Sequence, residues 1–353
     1  MRLLTVGENE AGQRLDKLLG KYMDKAPTSF FYKMLRKKNI TLNGKKAEGK
    51  ERLEVGDAIR LFLADETIDG FSSMAGKTGA GKLPQNIGAK QSRKVNPAAG
   101  GAKSKKKLPL RLRPEIIYED KNVIFFNKPA GLLSQKAKPS DISLVEYLTE
   151  HLLETGEATA ESLRSFRPGI CNRLDRNTSG LVAAGKSLRG LQELNELFRI
   201  RSLHKYYRTI AAGSVMDKQH IEGWLQKNEK TNQVQIFKQE RKDALPICTE
   251  YMPLKQLTYN GNPYTYLEIN LITGRSHQIR AHLASIGHPL IGDTKYGSPK
   301  INAEFRKNFG LKYQLLHAYR LELPELTGAL SNLSGQQYIA PLPKEFMNVL
   351  NRG

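Results

Sequence analysis

Residues 173–180 read RLDRNTSG, and the apolar run LVAA follows at residues 181–184. A polar segment that ends in glycine and leads into an apolar run predicts a loop that enters a buried strand. In an extended stretch, Arg173 and Asp175 project to one side while Arg176 projects to the other. The run therefore predicts a carboxyl group with a guanidinium group on its own side, next to the start of a strand.

The position of Asp175 between two arginines allows two interpretations. Nearby guanidinium groups favour the carboxylate form, so Asp175 is expected to stay ionised even when it is partly desolvated. An ionised carboxylate in a positive cleft can act as a nucleophile or as a base. The alternative is a structural Arg–Asp pair that holds the loop, and the spacing alone favours this second interpretation.

Two later segments carry further candidate site residues. Residues 204–210 predict a strand on which Lys205 and Tyr207 share a face, and a tyrosine in a cleft can stack on a base. Residues 273–283 predict a turn that leads into a helix, with Arg275 near the helix N-terminus, where an anion is favoured. The alternatives are a tyrosine that packs in the core and an arginine in a surface salt bridge.

The first 65 residues predict a small α/β domain. RLDKLL at residues 14–19 begins a short helix, and residues 29–38 form a second helix with an apolar face. ITLNGKK at residues 40–46 predicts a strand that enters an Asn-Gly hairpin turn, and residues 55–63 predict the closing strand. This arrangement resembles the small RNA-binding domain that takes its name from the small-subunit ribosomal protein S-four.

The basic side chains of this segment suit a clamp on an RNA backbone, because phosphate contacts fix position without reading sequence. The alternative is a solvated basic helix face on an accessory domain. The residues predicted to bind RNA are Arg14, Lys17, Lys33, Arg36, Lys37, Lys38 and Lys45.

The charge of the chain points to a polyanionic partner. The 353 residues carry a formal net charge of +21, and nucleic acid is the leading candidate for such a basic protein. Residues 66–113 are rich in Gly, Ala, Ser and Lys and poor in large apolar residues, so they predict a flexible basic linker. This linker is either a tether that contacts phosphates or a solvated spacer.

Several classes of protein are disfavoured by composition. Two cysteines without a CxxC motif argue against a disulfide framework, structural zinc and iron–sulfur clusters. Residues 76–82 imitate a phosphate-binding loop, but Leu83 stands where Ser or Thr would hold magnesium, so ATP binding is not expected. We therefore expect no metal and no cofactor. The absence of a long apolar run predicts no membrane span and no signal peptide, and hence a cytoplasmic protein.

Four blocks in the same order resemble the RluA family of pseudouridine synthases. The resemblance covers nearly all of residues 114–323, and its second block is highly specific to the family. The blocks are YEDKNVIFFNKPAGL at 118–132, RLDRNTSGL at 173–181, KYYRTIAAG at 205–213, and TGRSHQIRAHL with GHPLIGDTKYG at 273–297.

The resemblance implies roles for the candidate residues. Asp175 matches the essential aspartate that attacks the target uridine, at either the sugar or the base, after the base has been flipped out of the RNA. Tyr207 matches the tyrosine that stacks on the base and helps to remove the proton at carbon 5. Arg275 matches the basic residue that pairs with the aspartate. Arg173 and Arg176, together with Lys205, are assigned to substrate binding.

The resemblance also implies the architecture and the substrate. We expect an α+β catalytic domain with a mixed, largely antiparallel sheet at residues 114–353, after the RNA-binding domain at 1–65 and the linker at 66–113. The expected activity is pseudouridine formation in structured RNA, foremost large-subunit ribosomal RNA, by a monomer. The alternatives are a transfer-RNA substrate and a non-enzymatic RNA-binding or ribosome-assembly factor. Asn172 and Ser276 replace the usual His and Thr of the family, which puts the site preference in doubt.

Overall fold

The computed structural model describes residues 1–73 and 108–352. Most of the predicted linker and the phosphate-loop imitation at residues 76–82 lie outside these ranges. The chain divides into two compact units, the first comprising Met1–Leu110 with Leu152–Arg167 and the second Arg111–His151 with Pro168–Gly353. No helix within the described ranges is long and apolar enough to cross a membrane.

The first unit contains the predicted helices and hairpin. Its sheet is antiparallel with the strand order β1-β4-β2-β3. Asn43 and Gly44 both have positive φ angles, of 51° and 75°, as a two-residue hairpin turn of this type requires. The elements are β1 (Arg2–Thr5), α1 (Leu15–Tyr22), α2 (Thr28–Arg36), β2 (Ile40–Leu42), β3 (Lys45–Lys46), β4 (Ala58–Leu61) and α3 (Asp65–Gly70).

The remaining elements include the strands of one large sheet. The elements are β5 (Glu115–Glu119), β6 (Val123–Lys128), α4 (Leu144–Glu154), α5 (Ser162–Ser165), β7 (Gly169–Ile170), β8 (Ser179–Gly185), α6 (Leu188–Ile200), β9 (His204–Ala212), β10 (Gln219–Asn228), β11 (Gln233–Phe237), β12 (Leu245–Tyr259), β13 (Asn262–Asn270), α7 (Gln278–Ser285), α8 (Pro299–Phe309), β14 (Leu316–Glu322), β15 (Gln337–Ile339) and α9 (Lys344–Leu350).

The first unit extends beyond the predicted boundaries. Helix α3 falls at the start of the predicted linker, and Ile68 on this helix is fully buried in the core of the first unit. Helix α5, predicted as part of the catalytic domain, also belongs to this unit. There, Arg164 forms an ion pair with Asp69 at 3.0 Å. The predicted linker start at residue 66 is corrected because burial of an apolar side chain orders α3.

The sheet of the second unit confirms the predicted α+β class. Its eleven strands follow the order β11-β10-β12-β13-β9-β14-β8-β6-β5, with β15 paired to β14 and β7 paired to β8. Among the described strands, β8 and β14 pair in parallel and the others pair antiparallel. The sheet is therefore mixed and largely antiparallel.

Gly180 explains why the RLDRNTSG block ends in glycine. Strand β8 is buried along its whole length, and Gly180 pairs with Ala318 on β14. The φ angle of Gly180 is +110°, and a Cβ atom at this position would lie 2.2 Å from the carbonyl oxygen of Ala318. Only glycine allows this approach of two backbones, which fixes the loop that precedes β8.

Candidate active site

A cavity of about 830 Å³ lies in the second unit. Its walls come from the loop before β8, the start of β9 and the loop before α7, so segments far apart in the chain build it together. Of the residues assigned from the sequence to catalysis and substrate binding, all but Arg176 line this cavity. The lining residues used below are Arg173, Asp175, Lys205, Tyr207, Arg275 and Arg280.

Asp175 is held by an arginine from helix α7. Arg280 Nη1 donates to Asp175 Oδ2 at 2.8 Å, and the Asp175 side chain keeps an exposed fraction of 27%. The resemblance implied that Arg275 pairs with Asp175, and the structure corrects this pairing. Arg275 lies before α7 begins, whereas Arg280 lies within α7 and reaches the carboxylate.

Asp293 holds Arg280 from the other side. Arg280 Nε donates to Asp293 Oδ2 at 2.7 Å and Arg280 Nη2 donates to Asp293 Oδ1 at 2.9 Å, a two-bond arrangement that orients the guanidinium plane. Asp293 is completely buried. Burial opposes its ionisation, but the hydrogen bonds and charge of Arg280 outweigh burial and lower the pKa of Asp293. One guanidinium group is therefore shared by two carboxylates.

His277 and Tyr296 lie beside this chain of charges. His277 Nε2 is 3.9 Å from Asp175 Oδ2, and His277 Nδ1 is hydrogen-bonded to the Tyr296 hydroxyl group at 2.9 Å. Burial lowers the pKa of His277, although the charge of Asp175 acts in the opposite direction. A neutral imidazole leaves Arg280 as the positive group in direct contact with Asp175.

Tyr207 and Lys205 share the cavity-facing side of β9, as their spacing predicts. Tyr207 is 7% exposed, and burial, together with the charge of Asp175, raises the pKa of its phenol. The ring is therefore a neutral phenol at physiological pH. Burial and the charge of Arg201 lower the pKa of Lys205.

The loop that carries Arg275 is fixed by Gln278. Gln278 Oε1 accepts hydrogen bonds from the Arg275 backbone N–H at 3.0 Å and from Thr273 Oγ1 at 2.8 Å. Gln278 Nε2 donates to the carbonyl oxygen of Cys248 at 3.0 Å, which ties the loop to β12. The Arg275 side chain lines the cavity, and its Nε is buried without a hydrogen-bond partner among the described residues.

The structure separates the two arginines of the RLDR block. Arg173 lines the cavity, whereas Arg176 Nε donates to the carbonyl oxygen of Gly131 at 3.2 Å. Asn172 hydrogen-bonds to the backbone of β8, donating to Leu181 O at 3.2 Å and accepting from Ala183 N at 2.8 Å. The amide of Asn172 thus braces the loop against the strand.

Lys128 is a buried charged group near the site that the sequence interpretation missed. Its Nζ lies 2.8 Å from the Leu132 carbonyl oxygen, 3.1 Å from that of Pro129 and 3.3 Å from that of Arg176. Burial lowers the pKa of Lys128 to about 7, and the charge of Asp175 acts against this shift. Lys128 therefore joins the loop after β6 to the residue that follows Asp175. The sequence carries one indication of this group, because Lys128 follows the apolar run at residues 123–126 and directly precedes Pro129.

The residues predicted to bind RNA lie in the first unit. Arg14 is paired with Asp16, its Nη2 donating at 2.7 Å, so part of its charge is neutralised within the protein. All seven are exposed, namely Arg14, Lys17, Lys33, Arg36, Lys37, Lys38 and Lys45.

Comparison with known proteins identifies relatives over most of the chain. A sequence model of the family described as RNA pseudouridylate synthase matches residues 122–285. A protein of Vibrio cholerae named ribosomal large subunit pseudouridine synthase C is 26% identical over 328 residues, which cover 91% of this chain and 88% of the relative. An uncharacterized RNA pseudouridine synthase of Mycoplasma genitalium is 28% identical, covering 94% of each chain.

Solved structures support the same fold. The structure of human RNA pseudouridylate synthase domain containing 4 matches with a TM-score of 0.53 and 24% identity, covering 67% of this chain and 92% of the human chain. The family model and the names of the relatives indicate that this chain is an RNA pseudouridine synthase, an isomerase. The family model and the relatives named ribosomal large subunit pseudouridine synthase C support the predicted resemblance to the RluA family of pseudouridine synthases.

Proposed function

We propose that this enzyme converts uridine to pseudouridine in large-subunit ribosomal RNA. The relatives of Vibrio cholerae and Haemophilus influenzae are named ribosomal large subunit pseudouridine synthase C, and each match covers more than nine-tenths of this chain. The net charge of +21 suits an RNA substrate, because lysine and arginine release counterions from phosphates.

In the proposed reaction, Asp175 is the nucleophile that attacks the flipped-out uridine. The attack forms a bond between Asp175 and the nucleotide, and the N1–C1′ glycosidic bond breaks. The uracil ring then rotates, a bond forms between C5 and C1′, and the bond to Asp175 breaks, which regenerates the carboxylate. The proton at C5 leaves and N1 gains a proton, so the product is an isomer of the substrate. Arg280 orients the carboxylate of Asp175, and Asp293 orients Arg280.

The neighbouring side chains are proposed to hold the nucleotide. Tyr207 stacks on the uracil ring as a neutral phenol, and it can accept the C5 proton only after its own proton has been transferred. Arg173, Lys205 and Arg275 line the cavity and are proposed to bind the phosphates around the target. Arg176 is not among the residues that line the cavity. It is proposed to support the loop before β8 through its hydrogen bond to Gly131.

Base flipping costs a few kcal/mol, and basic surfaces are proposed to offset this cost through phosphate contacts. In the first unit these contacts are proposed at Lys17, Lys33, Arg36, Lys37, Lys38 and Lys45. Arg14 is expected to contribute less, because it is paired with Asp16. We place the enzyme in the cytoplasm, where ribosomal RNA is made in bacteria. We also infer a monomer, since one chain supplies every group named for the reaction.

The observation that carries this proposal is the partly exposed carboxylate of Asp175, fixed by Arg280 inside a basic cavity. The test uses large-subunit ribosomal RNA with tritium at carbon 5 of uracil, incubated with the enzyme and a chelator but without ATP. We expect release of tritium, and we expect Asp175→Asn to abolish release while the protein still binds RNA. Asp217→Asn, at an exposed position outside the cavity, is the matched control.

Two results would contradict the proposal. Undiminished tritium release by Asp175→Asn would exclude Asp175 as the nucleophile. Release from transfer RNA, with none from ribosomal RNA, would reassign the substrate while leaving the reaction unchanged.

A further inference from the structure

Four potential metal ligands occupy one face of two paired strands in the second unit. His220 and Glu222 are two residues apart on β10, and Cys248 and Glu250 are two residues apart on β12. The register pairs Glu222 with Cys248 and His220 with Glu250. Because side chains alternate between the faces of a strand, the four groups form a square on one side of the sheet. None of these residues lines the cavity described above.

Two distances within this square match those between ligands of one metal ion. Cys248 Sγ lies 3.3 Å from His220 Nε2, and His220 Nε2 lies 3.2 Å from Glu222 Oε1. The three ligand atoms all lie within 4.8 Å of one another. Tetrahedral zinc with Zn–S near 2.3 Å and Zn–N or Zn–O near 2.0 Å places S and N about 3.5 Å apart, and N and O about 3.3 Å apart.

A second layer of groups is already in place behind the histidine. His220 Nδ1 lies 3.3 Å from Glu250 Oε1, and Asn270 Nδ2 donates to Glu250 Oε2 at 3.0 Å. Metal-binding histidines usually donate their other ring N–H to a carboxylate, and that carboxylate is itself held by hydrogen bonds. The arrangement leaves His220 Nε2 directed toward Cys248 and Glu222.

The donor set indicates the class of cation. A thiolate, an imidazole and a carboxylate suit zinc and its divalent d-block neighbours, whereas magnesium and calcium prefer oxygen ligands alone. His220 and Glu222 have exposed side-chain fractions of 50% and 74%, so solvent can reach a fourth coordination position.

We propose that His220, Glu222 and Cys248 form a binding site for a divalent d-block cation, zinc foremost, with Glu250 positioning His220. The site joins β10 to β12. Bound metal therefore stabilises the strand whose Cys248 carbonyl oxygen accepts a hydrogen bond from Gln278. This site is independent of the reaction proposed above.

The test measures zinc binding by the full chain after treatment with a chelator. Titration against a chromophoric chelator is expected to show one equivalent of bound zinc, and cobalt is expected to give a thiolate-to-metal charge-transfer band. Cys248→Ser is expected to remove the charge-transfer band. Both Cys248→Ser and His220→Asn are expected to abolish tight zinc binding. Glu250→Gln is expected to weaken binding by about 10- to 100-fold, the usual effect of losing such a supporting group.

Matched controls separate this site from general binding to thiols and imidazoles. Cys171→Ser changes the other cysteine of the chain, and His204→Asn changes an exposed histidine outside the cluster. Both are expected to retain one tight equivalent. Circular dichroism of each metal-free variant checks folding, and alkylation of Cys248 in the wild-type chain provides a measurement that needs no substitution. The proposal is overturned if the wild-type chain retains no zinc against the chelator, or if Cys248→Ser and His220→Asn bind as tightly as the controls.

Discussion

The buried pair of Arg280 and Asp293 supports a quantitative prediction for Asp293→Asn. The substitution keeps the shape of the side chain and removes its charge, leaving an arginine that is only 6% exposed. Two unit charges 4 Å apart interact by about 4 kcal/mol at an effective dielectric constant near 20. Removal of one partner from a buried pair typically costs about 3–5 kcal/mol. Because Asp175 also contacts Arg280, we expect the lower end, a loss of about 3 kcal/mol.

The assay follows both urea and thermal unfolding by the fluorescence of Trp224, the single tryptophan of the chain, which lies on β10 of the second unit. For a domain of this size, a loss of about 3 kcal/mol corresponds to a decrease in Tm of about 6–12 °C. Asp217→Asn is the control and should leave Tm unchanged. The double variant Arg280→Met with Asp293→Leu should recover part of the stability, because apolar residues can replace a buried ion pair.

The magnitude of the change decides whether the reasoning holds. A loss below about 0.5 kcal/mol for Asp293→Asn, the range of an ordinary surface substitution, would refute the view that Asp293 compensates a buried charge. A double variant as unstable as Asp293→Asn alone would show that shape, and not charge, determines the stability at this position. The double variant should be inactive in either case, because Asp175 loses the contact with Arg280.

Three further predictions concern packing, pH and RNA binding. Gly180→Ala should lower the free energy of unfolding by at least about 2 kcal/mol, because its Cβ would overlap the Ala318 carbonyl group; an unchanged Tm would contradict this. Lys128 has a pKa near 7 in the folded chain, against about 10.4 when unfolded. The unfolded state thus binds more protons between these values. The free energy of unfolding of the wild-type chain, relative to that of Lys128→Met, should therefore rise from pH 7 to pH 10. Urea-unfolding free energies of the two proteins that run parallel over this pH range would contradict the prediction. Replacing both Lys37 and Lys38 by Ala should reduce the salt dependence of RNA binding by about 0.7–0.9 per lost phosphate contact; an unchanged slope in a filter-binding titration would favour the solvated-face alternative.

Local periodicity was sufficient to predict the elements whose pattern repeats over several turns or residues. The helix predicted to begin at residues 14–19 overlaps α1, and the strand predicted at 204–210 lies within β9. The Asn-Gly turn at residues 43 and 44 was also predicted, since positive φ angles at both residues strongly favour these residue types. In each case the information lies within a short stretch of sequence.

The first unit shows where local patterns fail. Strand β1 was not predicted, because its four residues carry little pattern and its partner β4 lies more than fifty residues away. Helix α3 was missed because only Ile68 on it is buried, so its sequence resembles a polar linker. Long-range contacts order both segments.

The ion pairs of the site were beyond local patterns for the same reason. Arg280 and Asp175 are 105 residues apart, and a charged residue in sequence is usually exposed. The structure shows that residues 278–283 of α7 are all buried. An arginine in a fully buried helical segment needs a buried partner, which distinguishes Arg280 from Arg275. A CxxC spacing cannot reveal the cluster of His220 and Cys248, because its members meet across two paired strands.

The arrangement of charges explains why the site needs Asp293 as well as Arg280. An arginine paired with Asp175 alone would balance the charge of its carboxylate, which would weaken Asp175 in its proposed role as the nucleophile. Asp293 takes two of the three hydrogen bonds that Arg280 makes to carboxylates, so the three groups together keep one negative charge, and the exposed member is Asp175. Arg173 and Arg275 also line the cavity, and they are proposed to supply the positive charge that attracts RNA. Loss of Asp293 should therefore reduce the rate of the chemical step more than it reduces RNA binding, because Arg280 would then pair with Asp175 alone.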